Sequence, residues 1–261
     1  MQTGLHITLA SERLFTLWGV PLTNTLFTMW LVMAALLLAA FFIGRSLKLT
    51  PGRVQSAVEM AFEYVWGYVR DTLGSDKLAR RYFPLIATIF LFILTANLLD
   101  FFPIFGTLTI SSSGEPVPLF HALSADLNTT LTLAIISFLV VELTGILTLG
   151  VLKYGSKFVN FKGGAMGFII GLLEIIGNLA RLVSLSFRLF GAIFAGETLL
   201  LVIGFFAPYI APVPLMAFEL FIGLLQAAIF AILTLAYIKL AVEEPHGSSS
   251  GQAHASPQGA H

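Results

Sequence analysis

The sequence predicts an all-α protein embedded in a membrane, and its composition and hydropathy pattern indicate this. Of its 261 residues, 57% are hydrophobic and 11% are charged, and the mean hydropathy is +0.91. A soluble globular domain carries about 25% charged residues. The apolar residues form runs long enough to cross a bilayer as helices. The formal net charge is zero, so total charge indicates no nucleic-acid partner.

Five long apolar runs predict five transmembrane helices. Prolines follow the second run and separate the last two, where they end helices because proline lacks a backbone N–H. The last four runs belong to one helical membrane domain over residues 82–242. The five runs are residues 26–44, 82–102, 127–152, 166–206 and 215–242.

Residues 51–74 show a different pattern, which predicts an amphipathic helix on the membrane surface or against other helices. Apolar side chains recur at helical spacing and polar ones lie between them. We expect residues 1–25 to form an external amino-terminal segment, with no basic start typical of a cleavable signal peptide. Residues 245–261 are rich in Ser, Gly, Gln and His and predict a disordered tail.

The distribution of lysine and arginine predicts the orientation. With the amino terminus outside and the carboxyl terminus in the cytoplasm, only Arg13 among the basic residues of loops and helix ends lies outside. Such a bias sets the topology of a helical membrane protein. The basic residues on the cytoplasmic side are Arg45, Lys48, Arg53, Arg70, Lys77, Arg80, Arg81, Lys153, Lys157, Lys162 and Lys239.

Residues 166–206 form a run that is too long for an upright helix. As one helix it would extend roughly 60 Å at ~1.5 Å per residue, whereas the hydrocarbon core is about 30 Å thick. Either one helix is strongly tilted, or two helices meet at a kink near Gly177 or Gly191. We favour an antiparallel hairpin of two long, strongly tilted helices over residues 166–242.

Charged residues within this hairpin indicate an ion path. A charge at the bilayer centre costs at least ~2.5–3.5 kcal/mol, and such residues usually face protein or water. Glu174, Arg181 and Arg188 are spaced by seven residues and share one stripe of the helix. Glu197, nine residues beyond Arg188, points to the opposite face. The alternative is that these charges only pair with each other and hold helices together.

Folding the hairpin about residue 208 predicts which polar residues match in depth. Neighbouring carboxylates oppose each other's ionisation, so they can share or hand on a proton. An arginine stays positive, so it acts as a fixed barrier and not as a relay. From outside to inside, the predicted levels are Glu197 with Glu219, Arg188 with Gln226, and Glu174 with Lys239.

Several segments resemble subunit a of the rotary F-type ATP synthase. Residues 184–197, SLSFRLFGAIFAGE, resemble its arginine signature. Residues 225–230, LQAAIF, followed by residues 233–237, LTLAY, resemble its last helix. Residues 97–100, NLLD, and 125–128, ADLN, resemble parts of its earlier helices. The resemblance covers most of the chain after residue 25.

The resemblance implies roles for individual residues. Arg188 would face the rotating ring of c subunits, with Gln226 near it, and Glu197 and Glu219 would form the polar pair of a half-channel open to the outside. Many family members have an asparagine where this chain has Ala192, so Ala192 is given no role. The outer entrance would be lined by Asn97, Asp100, Asp126 and Asn128, and the inner half-channel by Glu174, Ser184 and Tyr237.

The resemblance also implies the function and the partners. The chain would be a stator subunit whose two offset half-channels pass protons to and from the c-ring, which couples proton flow to rotation and ATP synthesis. It would work in the cell inner membrane with the c-ring, the b-subunit peripheral stalk and the other synthase subunits, without cofactor or nucleic acid. Nucleotide chemistry would belong to those partners, and the sequence has no Walker-type loop.

Two other classes of function remain as alternatives. An ion-coupled secondary transporter predicts internal repeats, and no convincing repeat is present. A non-transporting membrane scaffold would use the buried charges only to join helices. The sequence leaves open whether protons or sodium ions are carried, and what Glu142, Arg181 and His121 do.

Overall fold

The computed structural model describes a bundle of six helices and two short β-hairpins. Described are residues 13–17, 20–48, 51–101, 109–112, 115–150, 154, 164–207 and 210–242. The predicted tail 245–261 and most of the predicted external segment 1–25 lie outside these residues. The helices are α1 (Asn24–Ser46), α2 (Arg53–Leu73), α3 (Asp76–Asp100), α4 (Leu127–Leu149), α5 (Gly164–Phe206) and α6 (Pro212–Val242).

Five of these helices, all but α2, are long and apolar enough to cross a membrane. This confirms the predicted number of spans and the helical class. Helix α3 begins at Asp76 and not at Tyr82, because a charged first turn extends the helix beyond the apolar run. Helix α6 begins at Pro212, since proline is tolerated in the first turn, where its missing N–H would have no helical partner.

Helix α5 is a continuous helix of 43 residues. Its helical structure runs without a break through Gly177 and Gly191. At ~1.5 Å per residue it is roughly 65 Å long, about twice the hydrocarbon thickness of a bilayer. Its length lets one helix carry polar groups at several separate depths.

The helices pack around apolar clusters, and the two largest of these in the described residues each join four helices. Helix α6 contacts α2, α3, α4 and α5, while α4 also contacts α5, and α1 and α2 each pack on α3. One cluster joins α3, α4, α5 and α6. The other joins α2, α3, α4 and α6. The cluster shared by the four spans contains Ile89, Ile93, Ala134, Leu185, Leu189, Ala227 and Phe230.

A tight corner joins α2 to α3. Gly74 ends α2 with φ of 62°, a left-handed conformation that glycine adopts without the strain of a side chain. Its backbone N–H donates to the carbonyl of Arg70 at 2.9 Å. The side chain of Arg70 pairs with Asp76 across the corner, with Nε and Oδ1 3.1 Å apart.

Two β-hairpins that the sequence did not predict lie outside the spans. Strands β1 (Arg13–Leu17) and β2 (Val20–Thr23) pair antiparallel, as do β3 (Thr109–Ser112) and β4 (Glu115–Pro118). Strands of four or five residues are too short for an alternating pattern to stand out. Only the pairing with a neighbouring segment reveals them.

Candidate functional site

Asn97 joins three parts of the bundle near the end of α3. Its side-chain Nδ2 donates to the backbone carbonyl of Gly223 on α6 at 2.9 Å. Its Oδ1 accepts from the hydroxyl of Ser124 at 2.6 Å, and both side chains are buried. A Cβ at Gly223 would lie 2.9 Å from the Cβ of Asn97, so glycine permits this close approach. Asn97 therefore holds α3 against α6.

Three carboxyl groups meet beyond Asn97, and we call Asp100, Glu197 and Glu219 the carboxylate cluster. Asp100 interacts electrostatically with both glutamates, and the glutamates interact with each other. Gly196 makes room for the group on α6, since a Cβ there would lie 3.0 Å from Oε1 of Glu219. Oδ2 of Asp100 is buried and makes no hydrogen bond to the described residues. The structure thus brings Glu197 and Glu219 together, with Asp100 beside them.

Asp126 caps the amino-terminal end of α4 and borders a cavity. Its Oδ1 accepts from the backbone N–H of Asn128 at 2.9 Å, which caps the helix. Asp126 is buried whereas Asn128 is exposed. The adjoining cavity has a volume of about 300 Å³, and its polar lining residues are Thr23, Thr25, Asp126, Asn128, Thr129 and Thr132.

Arg188 lies on the exposed side of α5. Its Nη2 donates to Oγ of Ser184 one turn earlier at 3.4 Å, and both residues are exposed. Within the described part of the chain no carboxylate pairs with Arg188. The adjacent Leu189 is buried in the bundle, so Arg188 lies at the border between the packed and open faces of α5. Gln226 is half-buried on α6.

Arg181, seven residues earlier on α5, is enclosed by polar groups. Its Nη1 donates to Oδ1 of Asn178 at 2.8 Å, and Nδ2 of Asn178 donates to Oε1 of Glu142 on α4 at 3.1 Å. The hydroxyl of Tyr154 donates to Oε2 of Glu142 at 2.7 Å. The guanidinium carbon of Arg181 lies 5.7 Å from the ring centre of Tyr237 on α6. We call these five residues the arginine network.

Tyr154 keeps its proton in this network. Three effects raise the pKa of Tyr154 above its usual value. Burial is the largest, and the hydrogen bond to Glu142 and the negative charge of that carboxylate add to it. Its ring packs directly on Gly145, where an added Cβ would overlap the ring carbons. Tyr154 is therefore a fixed donor to Glu142.

The remaining candidates have more limited contacts. Glu174 is half-buried and interacts electrostatically with Tyr154, so it lies near the arginine network. His121 is half-buried, and its backbone N–H donates to the hydroxyl of Thr28 at 3.2 Å. The described ranges contain no cluster of three residues suited to hold a metal ion.

Sequence reasoning missed Ser124, Asn178 and Tyr154. Asn178 carried a detectable signal, since a polar side chain in an apolar run three residues before Arg181 can contact it on the same helix. Ser124 and Tyr154 lie outside the predicted spans. Their partners, Asn97 and Glu142, lie 27 and 12 residues away on helices, which is beyond the reach of helical or strand periodicity.

A helical bundle with five membrane-spanning helices and two separate polar groups, one on each side of an exposed arginine, defines a polytopic membrane protein built for ion passage. The chain belongs to the ATP synthase A chain family, which it matches over residues 26–239. This confirms the resemblance seen in the sequence.

Relatives in other bacteria support the same assignment. The chain is 39% identical to ATP synthase subunit a of Campylobacter fetus subsp. fetus, over 84% of this chain and 90% of the relative. It is 32% identical to ATP synthase subunit a of Moorella thermoacetica, over 87% and 94%. It is 34% identical to ATP synthase subunit a 3 of Pelobacter propionicus, over 83% and 86%.

Membership of the family defines the role of the chain in outline. It is a multi-pass protein of the inner membrane and a subunit of the proton-conducting membrane sector of an ATP synthase. It works with the other subunits of the complex, such as the c-ring, and is not itself the catalytic subunit.

Proposed function

We propose that the chain is the stator subunit that passes protons to and from the c-ring through two offset half-channels. The observation that carries the proposal is the position of Arg188, an exposed guanidinium without a carboxylate partner among the described residues. The carboxylate cluster begins about 13 Å further along α5, and the arginine network about 10 Å in the other direction, at ~1.5 Å per residue. Arg188 therefore separates two polar regions at different depths.

The outer half-channel leads from the cavity beside Asp126 to the carboxylate cluster. Asn128 is exposed to the cavity, and Asp126 lines it while capping α4. Asp100, Glu197 and Glu219 would pass the proton on, because closely spaced carboxyl groups oppose simultaneous ionisation and can share a proton. Asn97 supports this path by fixing α3 to α6, since both ends of its amide are already hydrogen-bonded.

The inner half-channel lies on the side of Arg188 that holds Glu174. Tyr237 and Ser184 extend it toward the interface with the rotor, and Gln226 lies on the neighbouring face of α6. The positive-inside distribution of lysine and arginine supports this orientation, with the amino terminus outside and the carboxyl terminus in the cytoplasm.

The long helices and α2 complete the proposed arrangement in the membrane. Helices α5 and α6 would form a strongly tilted antiparallel hairpin, since α5 is roughly twice as long as the hydrocarbon is thick. Helix α2 would lie on the cytoplasmic membrane surface, with Val65, Trp66 and Leu73 packed toward the bundle. The b-subunit peripheral stalk would hold this stator against the turning ring.

The mechanism follows from the cost of burying charge. A ring carboxyl group is neutral when protonated and can pass through lipid, whereas a bare carboxylate cannot. Arg188 attracts the ionised group at the interface and favours release of its proton. Because a guanidinium does not give up its own proton, Arg188 also blocks direct passage between the half-channels. Each proton that crosses supplies about 2.3 kcal/mol per 100 mV of membrane potential.

Arg188→Ala tests this function in the assembled synthase. We expect proton-driven ATP synthesis in membrane vesicles to be lost, while ATP hydrolysis by the detached catalytic sector is unchanged. Arg188→Lys should also be severely impaired, because lysine keeps the charge but loses the planar, forked guanidinium. Arg53→Ala, which removes an exposed arginine at the start of α2, is the matched control. Normal ATP synthesis in the Arg188→Ala variant would refute the barrier role.

A further inference from the structure

A small cavity lies between α4, α5 and α6 beside the arginine network. About 20 Å³ of it is open to the centre of a water molecule. A site of this size can hold one water if two to four polar groups border it. The polar residues in its wall are Ser137, Glu142, Asn178, Arg181 and Tyr237.

Ser137 is the residue in this wall whose burial is otherwise unexplained. Its side chain is 2% exposed, and its Oγ makes no hydrogen bond to any residue in the described ranges. A buried hydroxyl without a partner costs about 1–3 kcal/mol, so alanine would be the more stable choice at this position. A ligand in the cavity would satisfy the hydroxyl.

We propose that this cavity binds one water molecule that connects the hydroxyl of Ser137 to the carboxyl group of Glu142, and that Glu142 exchanges protons with this water as part of the inner half-channel. The inference rests on the proposed function. The exchange is a simple proton transfer: the bound water accepts the proton released at the ring interface and gives a proton to the carboxylate oxygen of Glu142, which later releases it to water on the cytoplasmic side.

Among the residues that line this cavity, Glu142 is the one that carries a carboxyl group. Arg181 does not deprotonate, and Asn178 has no titratable group. Tyr154 keeps its proton, as its raised pKa shows. Asn178 lies between the guanidinium and the carboxylate, so Glu142 is oriented by Arg181 without forming a direct ion pair with it.

Filling the cavity tests the water site. Ser137→Val replaces the hydroxyl with a methyl group and adds a second methyl group that would occupy the space of the water. The variant should still assemble, which the amount of chain in the purified complex would verify. Passive proton flux through the reconstituted complex should fall by roughly tenfold, the change produced by about 1.4 kcal/mol of added barrier. Ser137→Ala, which carries no risk of steric overlap, should lower the flux to a smaller extent.

The matched control for the hydroxyl is Thr148→Val. Thr148 lies on α4, and its hydroxyl donates to the carbonyl of Thr144 on the same helix at 2.7 Å, away from the cavity. Its flux should equal that of wild type. Wild-type flux in both Ser137 variants would overturn the water site.

Glu142→Gln and Glu142→Asp test the proton carrier. Glutamine keeps the size and the acceptor oxygen but cannot carry a proton, whereas aspartate keeps the acid. We expect glutamine to reduce flux by roughly tenfold and aspartate to restore part of the loss. Equal flux in the two variants would overturn the role of Glu142. If Arg188→Ala abolishes synthesis while these variants are normal, only this inference fails, whereas normal synthesis in Arg188→Ala would refute the proposed function itself.

Discussion

Arg181 and Arg188 lie on the same helix, one heptad apart, yet their surroundings are opposite. Arg181 donates to Asn178, faces the ring of Tyr237 and lies within one bridging amide of Glu142. Arg188 is exposed and donates to Ser184 of its own helix. A cation within a bundle needs compensating groups, because the loss of hydration is costly. Arg181 has such groups within the chain, whereas Arg188 is available to a partner.

This difference explains how one helix can serve two purposes. Arg181, whose charge is balanced by groups of the same chain, holds α4, α5 and α6 together. Its charge therefore exerts little electrostatic attraction on other groups. Arg188, whose charge is not balanced by a carboxylate among the described residues, can attract a carboxyl group of another subunit. We expect mutations at Arg188 to affect mainly the coupling of proton flow to ATP synthesis. Mutations at Arg181 should affect mainly the stability of the chain.

The largest effect should come from giving Arg188 the compensation that Arg181 has. In Ser184→Asp, the carboxylate would pair with Arg188 one turn away, as opposite charges at this spacing do on a helix. The guanidinium would then no longer attract the ring carboxyl group. We therefore expect the rate of proton-driven ATP synthesis to fall by about tenfold or more, which corresponds to at least ~1.4 kcal/mol of added activation free energy. Synthesis rates in vesicles would measure this.

Ser184→Ala is the control for that substitution, since it removes the 3.4 Å hydrogen bond without adding a charge. It should cause a much smaller loss. If Ser184→Asp were as active in ATP synthesis as Ser184→Ala, the electrostatic attraction of Arg188 for the ring carboxyl group could not be what couples proton flow to synthesis.

The next largest effect should be on stability, at Arg181. Arg181 is half-buried and donates a charge-assisted hydrogen bond to Asn178, which in turn donates to Glu142. Losing a hydrogen bond to a charged group costs roughly 1.5–3 kcal/mol. We expect Arg181→Ala to lower the melting temperature of the complex in detergent and the amount of the chain that assembles. Arg188→Ala should change neither.

A double-mutant cycle sharpens this prediction. If Glu142 and Arg181 compensate each other through Asn178, the double alanine variant should lose less stability than the two single variants combined. Strict additivity of the losses would show that the network does not couple them.

A smaller effect should follow from crowding Tyr154. A methyl group in Gly145→Ala would overlap the ring and displace the hydroxyl from Glu142. Overpacking of this kind costs about 1–3 kcal/mol, which thermal unfolding of the complex would detect.

Gly177→Ala on α5 is the matched control, because an added Cβ there meets nothing within 4 Å. Alanine is favoured over glycine by up to about 1 kcal/mol inside a helix, so this variant should be as stable as wild type or more so. A similar loss of stability in both variants would rule out the contact with Tyr154 as the cause.

The sequence by itself determined the spans and the spacing of the charges along them. These are local properties of the sequence: the lengths of the apolar runs, the positions of prolines, and the seven-residue spacing of Glu174, Arg181 and Arg188. Bilayer thickness and helical periodicity determine what each of them means for the structure. They were sufficient to predict five spans and an apolar run too long for an upright helix, with one tilted helix and two helices with a kink as the alternatives. The short hairpins and the charged first turn of α3 escaped detection, because neither has a hydropathy signal.

Only the tertiary structure decided which polar groups meet. The bonds of Asn97 to Gly223 and Ser124, and of Glu142 to Asn178 and Tyr154, join residues that lie between 12 and 126 positions apart in the chain. Two arginines with the same local pattern received opposite environments, since the packing of α4 and α6 encloses one position of α5 and leaves the other open. A heptad specifies a face of a helix, but the neighbouring helices determine what that face contacts.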